Sequence, residues 1–167
     1  MSDTIPKIPL DLAKDPVVAF YDALSLINSE GIRLTVDDLT ISDVVPDSSR
    51  PEANTRFTMT PVPTSKKIMG DAQTRWYWRW DMTEVMALMG YHDNKISYTG
   101  LPADWAEPGT HAKAVDMVNL TLGTTLRTDY TTWTELSRTA EEVVGVLAIN
   151  DGVLTLFGEI EITVSML

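Results

Sequence analysis

Cysteine is missing from all 167 residues. That excludes a disulfide framework, thiol nucleophiles and thiolate metal sites. Histidine is nearly missing, with only His92 and His111. Neither sits in an HxxxH or HExxH spacing, so no zinc site is expected. His92 precedes Asp93, but no serine elbow or cysteine accompanies the pair, so a base would have no nucleophile to activate. The glycine-rich loops that cradle phosphates, GxGxxG and GxxxxGK[ST], do not occur. Asp37, Asp38, Asp43 and Asp47 are acidic but lack the DxDxDG loop and terminal Glu of a calcium site. No apolar run approaches the roughly 20 residues of a membrane span. The opening MSDTIPKIPLDLAKDP has no apolar core of the kind a signal peptide needs. Catalytic, cofactor-binding and metal-binding residues are therefore expected to be none. The residue chemistry points to a folded, acidic module that is not an enzyme.

What is present is an ordinary folding composition, 44% hydrophobic and 22% charged, with net charge −11. At this length one compact domain is the default. The charge is uneven. Residues 1–50 sum to −5, residues 51–100 to +1 and residues 101–167 to −7. Nucleic acid is not an expected partner, because binding rests on cations neutralising phosphates. The exception is the window 53–80, where Arg56, Lys66, Lys67, Arg75 and Arg79 face one acid, Asp71. It reads either as a solvated strand and loop or as a basic patch that meets an acidic face of a neighbouring subunit.

Along the chain, residues 1–10 read as an extended arm. Pro6 and Pro9 stiffen it, and Ile5, Ile8 and Leu10 give it apolar contacts to offer a neighbouring subunit. Asp15-Pro16 then caps a helix over about 16–29, with Phe20, Leu24 and Ile27 inward and Gly31 as its stop. Leu39, Ile41 and Val44 start a strand. Residues 54–62 alternate and form a second, and TRWYWRWDM alternates again as its hairpin partner across a long connection. In that third strand Trp76, Trp78 and Trp80 share one face. The spacing assigns them to the core and places Arg75, Tyr77 and Arg79 on the solvent or partner face. An exposed row of indoles would instead suit carbohydrate. Met82, Val85, Met86 and Met89 have helical spacing, residues 91–109 read as a loop, and Thr110 caps a helix ending at Gly123. Two apolar runs around Asn150-Asp151-Gly152 close the chain. The expected core includes Phe20, Leu24, Ile27, Trp78, Val118, Leu147, Ile160 and Ile162. A weak internal echo also runs through the chain. A helix, Asn28 and Asp38 precede a strand, and a second helix, Asn119 and Asp129 precede another; each reads as a helix turning back through a short acidic hook, with the two helices packed on one sheet.

In order, these features are DPVVAFYDALSLIN, LTVDDLTIS, a strand opening at Asn54-Thr55, a helix ending in VNLTLG, and VLAINDGVLTLFGEIEITV with Phe157-Gly158. This order resembles a domain recurring in structural proteins of tailed bacteriophages. The resemblance covers about residues 9–167, and 75–109 fall outside its pattern as an insertion. It implies a virion protein, in the tail or baseplate, that works by self-association and by docking to other virion proteins. It brings no catalytic residues. A carbohydrate-binding module of a host-attachment apparatus and a capsid-decorating protein are the alternatives. The expected fold is α+β: one antiparallel sheet of about five or six strands with helices mainly on one face.

Overall fold

Asp15 and Pro16 open the first helix, as their chemistry predicts. In the computed structural model, which describes residues 4–28 and 31–167, α1 runs Pro16–Ile27. The Asp15 carboxylate accepts from the amides of Val17 at 2.9 Å and Val18 at 3.4 Å. Those are two of the N–H groups that every helix start leaves over. Ala19, Phe20, Ala23 and Leu24 are buried. Ile27, expected in the core, is 38% exposed. It is the last residue of the helix, and Asn28 turns the chain away. The Asn28 side chain donates to the Ile32 carbonyl at 2.6 Å and accepts from the Ile32 amide at 3.0 Å. Residue 29, the expected end of this helix, and residues 1–3 of the expected arm lie outside the described residues.

By their contacts the residues form two compact units, Met1–Arg79 with Asp151–Thr155, and Trp80–Asn150 with Leu156–Leu167. The expectation of an arm followed by one body from residue 11 does not anticipate this division. In unit 1, β1 (Leu39–Pro46), β2 (Thr55–Pro61) and β3 (Gln73–Tyr77) make an antiparallel sheet in the order β1-β2-β3. The Phe20 ring of α1 meets Phe57 at 5.4 Å and Tyr77 at 5.0 Å, and those two rings meet each other at 5.1 Å. All three contacts are edge-to-face, the arrangement aromatic quadrupoles favour.

Unit 2 holds β4 (Trp80–Asp81), α2 (Met82–Leu88), β5 (Lys95–Gly100), α3 (Thr110–Leu122), β6 (Thr131–Arg138), β7 (Glu142–Ile149), β8 (Leu156–Phe157) and β9 (Glu159–Met166). Four of the strands form a sheet in the order β5-β9-β7-β6, and β4 pairs with β8. β5 lies inside the stretch expected to be loop. Its six residues were hidden among turn formers, although Ile96 and Tyr98 do alternate with Ser97 and Thr99. The α+β class holds. The single antiparallel sheet does not: among the described residues there are three sheets, and both β5–β9 and β4–β8 run parallel.

The internal echo is a shared plan. In each unit a leading strand or bridge runs parallel to the last strand, a helix follows, and a three-stranded antiparallel meander completes the sheet. Thr4 bridges Trp76 in parallel in unit 1, and β5 pairs β9 in parallel in unit 2. The first meander strand carries one extra residue in both, between Ser42 and Val45 and between Glu135 and Ser137. α1 and α3 each carry an asparagine hook, Asn28 just after the last turn of α1 and Asn119 within the last turn of α3. Asn119 accepts from the Leu126 amide at 2.8 Å, donates to the Leu126 carbonyl at 2.8 Å, and accepts from Thr124 Oγ1 at 2.6 Å. Neither acid of the echo makes the hook; the asparagines do, and the two helices belong to separate units with separate sheets, not to one sheet.

Leu126 is buried, so removing its partner strands a desolvated amide and carbonyl. Asn119→Ala is expected to cost about 1–3 kcal/mol, read as a lower denaturant midpoint at unchanged slope. An unchanged midpoint would show that the hook contributes nothing to stability.

Candidate functional site

Ile5 and Ile8 do not project from the fold. Both are buried in the core of unit 1 with Phe20, Leu39, Phe57 and Tyr77. The Ile5 amide donates to the Trp76 carbonyl at 2.7 Å. Leu10 is half-buried. The two isoleucines expected to reach a neighbouring subunit are therefore used inside their own unit. Apolar area that can be covered within the unit is stabilised there without a partner.

The basic window is dispersed in the same way. Lys67 Nζ lies 2.8 Å from Asp38 Oδ2 and donates to the Arg33 carbonyl at 3.0 Å. Asp38 is buried and also accepts from Ser65 Oγ at 3.0 Å, Thr35 Oγ1 at 3.0 Å and the Thr35 amide at 3.1 Å. Lys67 thus ties the loop after β2 to the turn before β1. Arg56 Nε stands 3.5 Å from Asp47 Oδ2. Arg75 bonds to the Thr74 carbonyl at 3.0 Å and to the Gln73 side chain. Lys66 is exposed.

The third strand has the opposite phase to the one expected. Tyr77 and Arg79 are 0% and 1% exposed, whereas Trp76, Trp78 and Trp80 are all half-buried. The sequence reading weighted bulk and apolarity, which put indoles inward. Tyr and Arg win the inner side because each finds backbone acceptors there. The Tyr77 hydroxyl donates to the Leu154 carbonyl. Arg79 Nη1 donates to the carbonyls of Asp151 at 2.7 Å and Val153 at 3.2 Å. Burial raises the Tyr77 pKa and lowers that of Arg79.

Strand pairing stops at Tyr77 and resumes at Trp80, which belongs to the other unit. Trp76 donates to Asp47 Oδ2 at 3.1 Å, and the Arg50 guanidinium covers its ring at 4.2 Å. Lys7 Nζ stands 5.2 Å from the Trp78 ring centroid. Cations thus occupy ring faces that a sugar would need. His92 is exposed, and His111 Nε2 lies 2.9 Å from Thr131 Oγ1. Among the described residues, no three His, Cys, Asp or Glu side chains cluster as metal ligands. No described helix is long and apolar enough to cross a membrane.

The feature that sequence reasoning missed is a groove in unit 1 of about 640 Å³. It opens where α1 ends, so Ile27 and Asn28 border it, with Ile5, Leu24, Leu39, Met59 and Ile68 along its walls. Lys67, Met69, Asp71, Gln73 and Arg75 also line it. The volume is in the range of ligand and peptide pockets, which are apolar with a few placed polar groups. Its one sequence signal was Ile68-Met69, two apolar residues in a stretch otherwise of loop chemistry.

No protein-family model, curated protein or solved structure matches the chain.

The Asp38 clamp gives a pH signature. Its pKa falls to about 2, first through the hydrogen bond from Lys67, then through those from Ser65 and Thr35. A carboxyl with a lowered folded-state pKa stabilises the fold above its unfolded pKa, and the gain fades as pH falls toward the folded value. Asp38→Asn is therefore expected to unfold at a lower temperature than the native chain at neutral pH. The gap should close between about pH 5 and about pH 2. A gap of constant size over that range would remove the charged clamp as its cause.

Proposed function

We propose that the chain is a structural subunit of a tailed-bacteriophage particle, stationed in the tail or baseplate. It works by self-association and by docking to other virion proteins. The observation that carries this reading is where the residues of the phage-like motifs fall. Several of them sit at the joints of the fold. Asp15-Pro16 is the cap of α1. Thr35 and Asp38 of LTVDD bond to each other in the turn before β1. Asn54, ahead of β2, donates to the Arg79 carbonyl at 2.8 Å and accepts from its amide at 2.8 Å. Asn119 is the hook of α3, and Phe157-Gly158 joins β8 to β9. Motif residues at a cap, turns and a hook specify a build, which suits a subunit whose work is to hold shape.

The charge fits this role. Unit 2 has 12 acidic and 4 basic side chains, against 12 and 9 in unit 1. Identical acidic surfaces repel, so assembly must match unlike surfaces. Rim charge pairs add about 0–1 kcal/mol each but penalise wrong orientations.

Immunoelectron microscopy of purified particles, with serum raised against this chain, tests the reading. Label on the tail or baseplate is the expected outcome. Label confined to the head would move the protein to the capsid surface, and particles without label would end the virion reading.

A further inference from the structure

The chain contains a single Asp-Gly pair, Asp151-Gly152, and the fold sets it against the guanidinium of Arg79. Arg79 is 1% exposed, and its Nη1 donates to the Asp151 carbonyl at 2.7 Å. Asp151 and Gly152 themselves are exposed in a turn. That carbonyl and the Gly152 amide belong to one planar trans peptide group, so they point in opposite directions. A carbonyl held on the buried side by Arg79 therefore turns the Gly152 N–H toward solvent. Among the described residues no acceptor meets this amide. A Cβ added at Gly152 would find nothing within 4 Å, so the Asp151 carboxyl has room to approach the nitrogen.

An amide nitrogen is ordinarily a poor nucleophile, because it shares its lone pair with the carbonyl. A cation at the carbonyl oxygen stabilises the negative charge that collects there when the N–H gives up its proton. The effect is strongest where water does not screen it, and the Arg79 bond lies at such a place. The nitrogen and the carboxyl carbon belong to adjacent residues, so little entropy is lost in bringing them together.

We propose that Asp151-Gly152 is a self-modification site, at which Arg79 activates the Gly152 nitrogen and Asp151 becomes isoaspartate. The nitrogen bonds to Cγ of Asp151, and the bond from Cγ to the hydroxyl of the protonated carboxyl breaks. That hydroxyl and the amide proton leave as one water, giving a cyclic succinimide. Water then adds at the former Asp151 main-chain carbonyl, and the bond from this carbon to the nitrogen breaks. The nitrogen stays on Cγ, and the former carbonyl becomes a carboxylate. Nothing is oxidised or reduced, and water is the only other reactant. The net charge is unchanged, but the anion moves from an exposed side chain to the oxygen that Arg79 already holds. A guanidinium binds a carboxylate more strongly than a neutral carbonyl, so the product ties residues 151–155 more firmly to unit 1. The inference is independent of the virion reading.

The full-length protein is incubated for weeks in water enriched in heavy oxygen, folded in one sample and in denaturant in the other. Trypsin digestion in ordinary water then releases the peptide 139–167. Each succinimide that hydrolyses leaves one heavy oxygen in that peptide, and an isoaspartate-specific methyltransferase counts the isomerised fraction. The folded chain is expected to take up label at residue 151 about tenfold or more faster than the unfolded one. Gly152→Ala, whose added methyl crowds the nitrogen but meets no other group, should keep the native unfolding midpoint and label about tenfold more slowly. Arg79→Met should lose the advantage of the folded state. Where circular dichroism shows that this variant does not fold, the folded-to-unfolded ratio of the native chain decides. Label that appears as fast or faster in the unfolded chain would overturn the proposal, because the pair would then be an ordinary Asp-Gly sequence that the fold does not activate. So would a folded chain that stays unlabelled, label placed by fragmentation at another residue, or native labelling rates in Gly152→Ala or in folded Arg79→Met.

Discussion

A phenol in a dry core must find an acceptor, and the whole of unit 1 is arranged around the one Tyr77 finds. Its hydroxyl reaches the Leu154 carbonyl, 77 residues away in sequence. Its ring completes the edge-to-face trio with Phe20 and Phe57. Leaving a buried hydroxyl unpaired costs roughly 1–3 kcal/mol, so the ring and the acceptor have to arrive together. Arg79 repeats the constraint two residues on, with a larger penalty for burying a charge. Its bonds to the Asp151 and Val153 carbonyls hold the same segment. The phase of β3, the break after Tyr77 and the capture of residues 151–155 all follow from these two side chains.

That same pair marks where the sequence stopped being readable. Local signals were reliable when their partners were also local. The Asp15 cap, the stop at Gly123 with its left-handed φ of 66°, and the alternation of β2 all satisfy themselves within a few residues. TRWYWRW offered two faces of large side chains, and the choice between them was made by carbonyls some seventy residues downstream. No alternation rule contains that information. The isoleucines of the arm failed for a related reason: their apolarity was legible, but not whether the cover came from their own unit or from outside. The groove was the least legible feature, because it is defined by where α1 ends and by side chains that do not meet.

The echo of Asn and Asp across the chain had the opposite fate. Its spacing pointed to two similar helix-to-strand turns, and the structure has them, with the asparagine amide doing the bonding. An amide suits this place because it both donates and accepts, so one side chain satisfies the carbonyl and the amide of a single outgoing residue. A carboxylate could only accept. Asp38 instead gathers donors, Lys67 among them, and this is why a cation expected at an interface is occupied within the fold.

The excursion of residues 151–155 into unit 1 has a consequence for the order of events during synthesis. The aromatic centre of unit 1 is laid down within the first 79 residues, but the acceptors of Tyr77 and Arg79 emerge only after most of unit 2 has been made. Such a nascent chain carries its first unit with the phenol and guanidinium still seeking partners, and long-range closure is slow compared with local helix and hairpin formation. Unit 1 therefore finishes late although it begins early. The completion of one unit is timed by the translation of the other.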